Sequence, residues 1–164
     1  MMPSDGLQHE VMTRLGSVLD PEMPINIVDL GLVEAVTCRG ESVAITLLPT
    51  FVGCPALDMI RDDVVTAVTA IDGVEEVEVT FVHDPPWSID RITPQGRAAL
   101  SEHGVTVPGA CCGGSTVGVT QSVVPCPFCK SRSTRQQSSF GPTRCRSIWY
   151  CDGCRNTFER MKRV

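Results

Sequence analysis

Apolar residues recur at helical and strand spacing through the first hundred residues of this 164-residue chain. Residues 4–19 carry them every three to four positions, which predicts a helix that the two prolines at 20–24 must end. Two runs that alternate or stay apolar follow at 32–37 and 43–48. They flank the polar sequence Arg39-Gly40-Glu41-Ser42, so this part of the chain predicts a β-hairpin.

The pattern continues with a helix, a strand and a shorter helix. Residues 56–70 place apolar side chains on one helical face, and residues 74–82 have the character of a strand. Thr93 is a suitable cap for a last helix, with Pro94 at its first position. The order α-β-β-α-β-α predicts an α+β domain, in which helices pack on a three-stranded sheet.

Nine cysteines are numerous for a chain of this length, and four of them form two Cys-x-x-Cys pairs separated by 21 residues. Two such pairs can surround one tetrahedral ion with four thiolates. Zinc is the metal that this ligand set favours, although a rubredoxin-like iron site uses the same ligands. The predicted ligands of this zinc-ribbon-like module are Cys126, Cys129, Cys151 and Cys154.

Whether those cysteines instead form two disulfides depends on the redox state of the cell compartment in which the protein resides. The first 19 residues are interrupted by polar side chains and lack the apolar core of a signal peptide. We therefore expect a cytoplasmic protein, whose thiols stay reduced and free for metals. No apolar run approaches the length of a membrane span, so no membrane partner is expected.

Charge divides the chain in two. Residues 1–108 hold 17 acidic residues against 5 Lys/Arg, whereas residues 109–164 hold 2 against 9. Together with a Gly, Ser, Thr and Val-rich stretch of almost no charge, this predicts an α+β domain at 1–108, a flexible linker at 109–122 and a metal-binding module at 123–164. The asymmetry indicates modules that attract each other or that have different partners.

Within the α+β domain, Cys54 is the residue whose surroundings favour chemistry. Gly53 permits an unusual backbone angle and Pro55 suits the first turn of the next helix, which predicts the Cys54 sulfur at a helix N-terminus. Free amides and the helix dipole would there lower the pKa of the thiol and favour the thiolate that metals need. A small cysteine packed under the sheet is the alternative.

Three carboxylates near the two-proline turn are further candidates: Asp20, Glu22 and Asp29. They could bind a cation, but capping of nearby backbone amides is the interpretation that their spacing favours. No phosphate-binding glycine loop, dinucleotide fingerprint or hydrolase nucleophile elbow is present, so the residues do not predict a self-contained enzyme.

Besides Cys38 and Cys54, three cysteines lie outside the predicted tetrahedral set. Cys111 and Cys112 fall in the predicted linker, where an incidental exposed pair is favoured over a mobile thiol donor that passes on a metal or cluster. Cys145, six residues before Cys151, is either a further thiol near the metal or a buried filler.

Basic and aromatic residues in the C-terminal module also permit nucleic-acid binding. The acidic N-terminal domain would repel a polyanion, however, and so small a module needs its aromatic residues for a core around the metal. A protein partner is therefore favoured over nucleic acid.

Four short motifs together resemble a known family: Asp20-Pro21-Glu22, Asp29-Leu30-Gly31, Gly53-Cys54-Pro55 and Asp84-Pro85-Pro86-Trp87. They are similar to the iron–sulfur assembly domain of SufT-like proteins. The Asp-Pro-Pro-Trp loop combined with the four-cysteine module resembles the PaaD family of the phenylacetyl-CoA epoxidase system, whose members are also called PaaJ, a component of phenylacetate-CoA oxygenase. The resemblance extends over about residues 7–160.

This resemblance implies a part in aerobic phenylacetate catabolism, in which a diiron oxygenase and a flavin/iron–sulfur reductase epoxidise the ring of phenylacetyl-CoA. The chain lacks the paired Glu-x-x-His motifs of a diiron bundle and any flavin fingerprint. The implied role is therefore maturation, with delivery of iron or an iron–sulfur cluster to the reductase or the oxygenase.

In the assembly family the cysteine that matches Cys54 is the functional thiol. One cysteine cannot hold a cluster alone, so we expect a homodimer or a contribution from the linker. A non-catalytic docking or regulatory subunit of the oxygenase is the alternative function.

Overall fold

The computed structural model of the chain describes residues 4–109 and 124–163. The predicted linker, with Cys111 and Cys112, lies outside the described residues from position 110 onward. Helix α1 spans Ser4–Leu15 and ends four residues before its predicted end. The Ser17 hydroxyl donates to the carbonyl of Arg14 at 2.6 Å, and this side-chain hydrogen bond accompanies a tight turn that ends the helix.

The predicted hairpin and helix build the first sheet. Strands β1 (Val33–Arg39) and β2 (Ser42–Leu47) pair antiparallel around Gly40, whose φ is 62°. Strand β3 (Glu76–Phe81) pairs parallel to β2, in the order β1-β2-β3. A parallel pair needs a crossover, which α2 (Leu57–Thr69) supplies. The face of α2 that covers the sheet buries Ile60, Val64 and Val68.

A short 3₁₀ turn at Ile89–Arg91 leads to α3 (Pro94–Glu102), and the Thr93 hydroxyl caps α3 by accepting from the Gly96 amide at 3.0 Å. The order α-β-β-α-β-α and the three-stranded sheet are thus confirmed. Buried Trp87 fixes the preceding loop, because its indole N–H donates to the carbonyl of Leu30 at 3.0 Å.

The second sheet joins the two parts of the chain. It contains β5 (Thr134–Ser138), β6 (Arg146–Cys151), β7 (Thr157–Met161) and the two-residue strand β4 (Val105–Thr106), in the order β4-β7-β6-β5. The apolar and aromatic run at 147–150 predicts one short strand here, which corresponds to β6, and the sequence does not predict the other three. Since β4 precedes the predicted linker and pairs parallel with β7, the four-cysteine region is attached to the α+β region by backbone hydrogen bonds.

Apolar contacts support this attachment. Met161, on β7, is 1% exposed and belongs to the core of the α+β region. The Phe128 ring lies so close to Gly104 that a Cβ there would come within 2.7 Å of it. Among the described residues, the ion pairs lie within one region or the other, so direct salt bridges do not carry the attachment. No helix in the described parts of the chain has the length and apolar character needed to cross a membrane.

Candidate metal centre and thiol pocket

The four cysteines of the two Cys-x-x-Cys pairs converge. Their sulfur atoms all lie within 4.8 Å of one another, with Cys126 and Cys154 sulfurs 3.7 Å apart and Cys129 and Cys151 sulfurs 3.5 Å apart. A tetrahedron with metal–sulfur bonds of about 2.3 Å has edges of about 3.8 Å. None of the four forms a disulfide, so the donor set fits a tetrahedral metal ion.

The same backbone turn builds both halves of this centre. The residue after each pair has positive φ, 61° at Lys130 and 60° at Arg155. The amide of Lys130 donates to the carbonyl of Cys126 at 3.0 Å, and that of Arg155 donates to the carbonyl of Cys151 at 2.8 Å. The left-handed residue turns the chain so that the next backbone amide faces the second sulfur of its own pair.

The backbone amides that face the sulfurs lower the pKa of the thiols, and neighbouring groups modify that effect. The Asn156 amide, aided by neighbouring sulfurs, lowers the pKa of Cys154 to about 7. The Ser131 amide acts in the same direction on Cys129, but desolvation and hydrogen bonds with the other three sulfurs outweigh it and raise the pKa of Cys129 to about 11. Four thiols this close resist joint ionisation, and a divalent cation removes that repulsion.

Cys54 lies elsewhere, in the loop before α2, and its surroundings differ from the prediction. Helix α2 begins at Leu57 with Ala56 as its cap, so Cys54 stands two residues before the cap. The predicted lowering of its pKa is wrong. Burial raises the pKa of Cys54, the Ala56 amide opposes that effect, and the charges of Glu22 and Asp20 raise it further.

Cys54 opens onto a cavity of about 410 Å³ between the two regions of the chain. Its walls come from the two-proline turn, from the loop before α2 and from the loop that leads into β6. Two of the lining residues are cysteines from different regions, and one is a carboxylate. The lining residues that the chemistry concerns are Glu22, Cys54, Arg144 and Cys145.

Side-chain hydrogen bonds hold Cys145 in that wall. Its sulfur is 3.0 Å from the Thr143 hydroxyl oxygen, which also accepts from Arg146 Nε at 2.8 Å. Arg146 is itself buried, and its Nη2 donates to the Glu22 carbonyl at 3.3 Å. Its Nη1 lies 2.6 Å from Glu159 Oε2 as an ion pair, although that oxygen accepts no well-aligned hydrogen bond.

The three candidate carboxylates have different surroundings in the structure. Asp20 caps the turn, since its Oδ1 accepts from the Glu22 amide at 2.8 Å, and burial raises its pKa. Both oxygens of Asp29 accept hydrogen bonds, from Thr93 at 2.6 Å and from Asn26 at 2.7 Å. Only Glu22 lines the cavity with Cys54.

Cations cover several aromatic faces of the basic region. Arg135 lies 4.8 Å from the Tyr150 ring centroid, and Arg160 lies 5.5 Å from that of Trp149. The Phe158 side chain is buried. These three rings therefore take part in the packing of the region, whereas Phe140 is 72% exposed, with Lys162 Nζ 4.8 Å from its ring centroid.

The fold and the four-sulfur centre define an α+β domain of the iron–sulfur assembly type joined to a four-cysteine β-ribbon. Family models agree with both parts: one described as iron-sulfur cluster assembly protein matches residues 8–81, and one described as PaaD zinc beta ribbon domain matches residues 110–162.

Relatives match either the first part or nearly the full chain. A protein of Escherichia coli (strain K12), provisionally named as the D component of 1,2-phenylacetyl-CoA epoxidase, is 37% identical over 155 residues, which is 94% of this chain and 92% of that protein. The Fe-S protein maturation auxiliary factor YitW of Bacillus subtilis (strain 168) is 35% identical over 58% of this chain and 95% of its own length.

A solved structure of a domain of unknown function, DUF59, from Bacillus anthracis superimposes with a TM-score of 0.57 at 34% identity, and covers 59% of this chain and 93% of that one. The chain belongs to the PaaD family of phenylacetyl-CoA epoxidase components. The resemblance that the sequence motifs indicated is confirmed.

Proposed function

We propose that this protein is the maturation subunit of a phenylacetyl-CoA epoxidase system and that it delivers iron or an iron–sulfur cluster to the reductase or to the diiron oxygenase. The observation that carries this proposal is the free, half-buried Cys54 thiol in a cavity separate from the four-cysteine centre. A thiol in this position can take up and release a soft cation while the ribbon keeps its own metal.

Similarity supports both parts of the proposal. The relative that matches nearly the full chain is named as an epoxidase component, and a relative that matches the first part is named as an Fe-S protein maturation factor. This chain combines the epoxidase-type full length with the maturation-factor domain. We therefore assign it to one client system, the epoxidase, and to the iron–sulfur maturation chemistry for which its shorter relative is named.

We further propose that the ion in the ribbon is zinc and that its role is structural. Cys126 and Cys151 are fully buried and the four sulfurs form a closed set, which leaves no coordination position for a client. The basic surface around this centre is suited to dock on an acidic protein partner, the other epoxidase components being the candidates.

Replacement of Cys54 by serine tests the function. In cells that depend on this protein for growth on phenylacetate, the Cys54→Ser variant should lose ring epoxidation and accumulate a client that lacks iron. Cys38→Ser is the matched control, because Cys38 is another free, half-buried cysteine, on β1 and outside the cavity. Its epoxidation should equal that of the wild type.

The same experiment addresses the alternative function. A docking or regulatory subunit that handles no metal would retain epoxidation in the Cys54→Ser variant at normal protein levels. That outcome would overturn the delivery proposal. Iron analysis of the purified reductase and oxygenase from both strains would identify the client.

A further inference from the structure

We propose that Cys54 and Cys145 together form a second metal site in the cavity between the two regions, and that this site holds ferrous iron as cargo. The inference rests on the proposed function and deepens it, because it gives Cys54 a second thiol from its own chain. The ribbon would then be more than a recognition module, since it supplies one ligand of the delivery site.

The cavity collects donors from three separate segments. Cys54 comes from the loop before α2, Cys145 from the loop before β6, and Glu22 from the two-proline turn. The three donor atoms do not all lie within 4.8 Å of one another, so the two thiols are the proposed ligands and the Glu22 carboxylate is a further donor in the cavity wall. Thiolate ligands suit divalent iron or zinc better than a hard cation. A cavity of about 410 Å³ leaves room for the ion together with solvent ligands.

Cys145 is oriented for this role by its neighbours. The Thr143 hydroxyl accepts a hydrogen bond from Arg146, so its own hydrogen is free to point at the Cys145 sulfur, 3.0 Å away. A sulfur that accepts such a bond is favoured as a thiolate or as a metal ligand. Because Arg146 also donates to the Glu22 carbonyl, the loop that carries Cys145 is tied to the segment that carries the carboxylate.

Two acidic residues near Cys54 favour a cation. Burial raises the pKa of the Cys54 thiol and the negative charges of Glu22 and Asp20 raise it further, a cost that a bound cation would offset. Arg144 also lines the cavity, with its guanidinium 5.5 Å from the Phe51 ring centroid, and its positive charge acts against this effect. When the cation binds, each thiol gives its proton to solvent and no electron is transferred.

The number of ligands distinguishes this site from the ribbon centre. Within residues 4–109 and 124–163, the four ribbon cysteines are the one group in which at least three Cys, His, Asp or Glu ligand atoms all lie within 4.8 Å of one another. The cavity therefore offers an incomplete set, and solvent or a client must fill the remaining positions. An open coordination sphere allows ligand exchange, which a carrier needs and a structural site prevents.

Cobalt titration of the full chain tests the inference. The protein is prepared without oxygen and with one zinc per chain in the ribbon, and Co²⁺ is then added as a spectroscopic probe for Fe²⁺. We expect one further equivalent to bind with sulfur-to-cobalt charge-transfer absorption. Cys54→Ser and Cys145→Ser should each weaken this binding by about 100-fold or more, beyond the loss expected from removal of an outer-shell partner. Cys38→Ser should bind as the wild type does.

A measurement on the wild type guards against a folding defect in Cys145→Ser. Peptide-mapped alkylation with N-ethylmaleimide should show that Co²⁺ protects Cys54 and Cys145 together and leaves the rate at Cys38 unchanged. Protection of Cys54 alone would overturn the two-thiol site.

The outcomes separate this inference from the function on which it rests. Wild-type cobalt binding by Cys145→Ser, with loss in Cys54→Ser, would refute the role of Cys145 and leave delivery through Cys54 standing. No second equivalent in the wild type would refute the site, and the epoxidation assay of Cys54→Ser would then decide the proposed function by itself.

Discussion

The ribbon centre and the thiol cavity use the same element, sulfur, in opposite arrangements. In the ribbon, four sulfurs lie within 4.8 Å of one another, and Cys126 and Cys151 are fully buried. In the cavity, Cys54 and Cys145 come from different regions of the chain and line the same space. On the proposals above, the number of converging thiols separates a centre that would retain its metal from one suited to release it.

Local sequence accounts for how the sulfurs of each ribbon pair are placed. Each Cys-x-x-Cys pair is followed by a left-handed residue that directs a backbone amide at the sulfur, so each half of the centre forms within six residues. The cavity has no such local design, because its walls meet only when the regions pack together. A substitution that loosens the packing should therefore affect the cavity first.

Loss of a ribbon ligand should have the largest effect. In Cys151→Ser the tetrahedral set is incomplete, and binding free energies of structural zinc in small domains are about 10–16 kcal/mol. We expect loss of the metal and of hydrogen-exchange protection in β5–β7. Cys145→Ser is the matched control, since it removes a buried ribbon cysteine outside the tetrahedron and should keep one zinc. Zinc retention by Cys151→Ser would show that the centre does not hold the ribbon together.

Separation of the two regions should have an intermediate effect. Met161→Ala removes a ribbon side chain from the core of the α+β region, where it is 1% exposed, and such truncations cost about 2–5 kcal/mol. Denaturant unfolding should show that loss, and cobalt binding in the cavity should weaken while ribbon zinc is retained. Met59→Ala, at a methionine that is 56% exposed, should change stability by less than about 0.5 kcal/mol. Cobalt binding unchanged in Met161→Ala would indicate that the cavity does not depend on this packing.

Loss of the Thr143 hydroxyl should have the smallest effect. Thr143→Val keeps the shape of the side chain but removes the hydroxyl that lies beside the Cys145 sulfur and that also accepts from Arg146 Nε. The hydrogen bond to the sulfur is worth about 1 kcal/mol, or about fivefold in cobalt affinity, and loss of the Arg146 partner should appear separately as a loss of stability. Thr37→Val, an exposed threonine on β1, is the control and should bind normally. Equal affinity in Thr143→Val would remove the argument that this hydroxyl prepares the sulfur.

The homodimer expected from the sequence stays a prediction. It was motivated by the need of Cys54 for a second ligand, and Cys145 of the same chain now offers one. Light scattering of the full chain, with and without Co²⁺, would distinguish a site completed within one chain from a site completed between two.

The predictions from sequence failed where the outcome depends on contacts between residues that are distant along the chain. The strands β4, β5 and β7 were not predicted, because β5 is a polar run and β4 is two residues long. Both are strands only through pairing, and the partners of β4 lie more than 50 residues away. The pKa of Cys54 was predicted in the wrong direction because tertiary packing buries the thiol, which raises its pKa, and the charges of Glu22 and Asp20 from a separate turn raise it further.

The sequence by itself determined the order of helices and strands in the α+β region and the ligands of the ribbon centre. Both depend on short-range information, namely apolar periodicity, capping residues and the spacing within each Cys-x-x-Cys pair. The tertiary structure alone decided that the ribbon sheet includes β4 and that Cys145 and Cys54 line the same cavity. Those arrangements arise from packing between segments more than 50 residues apart, which no local pattern of residues encodes.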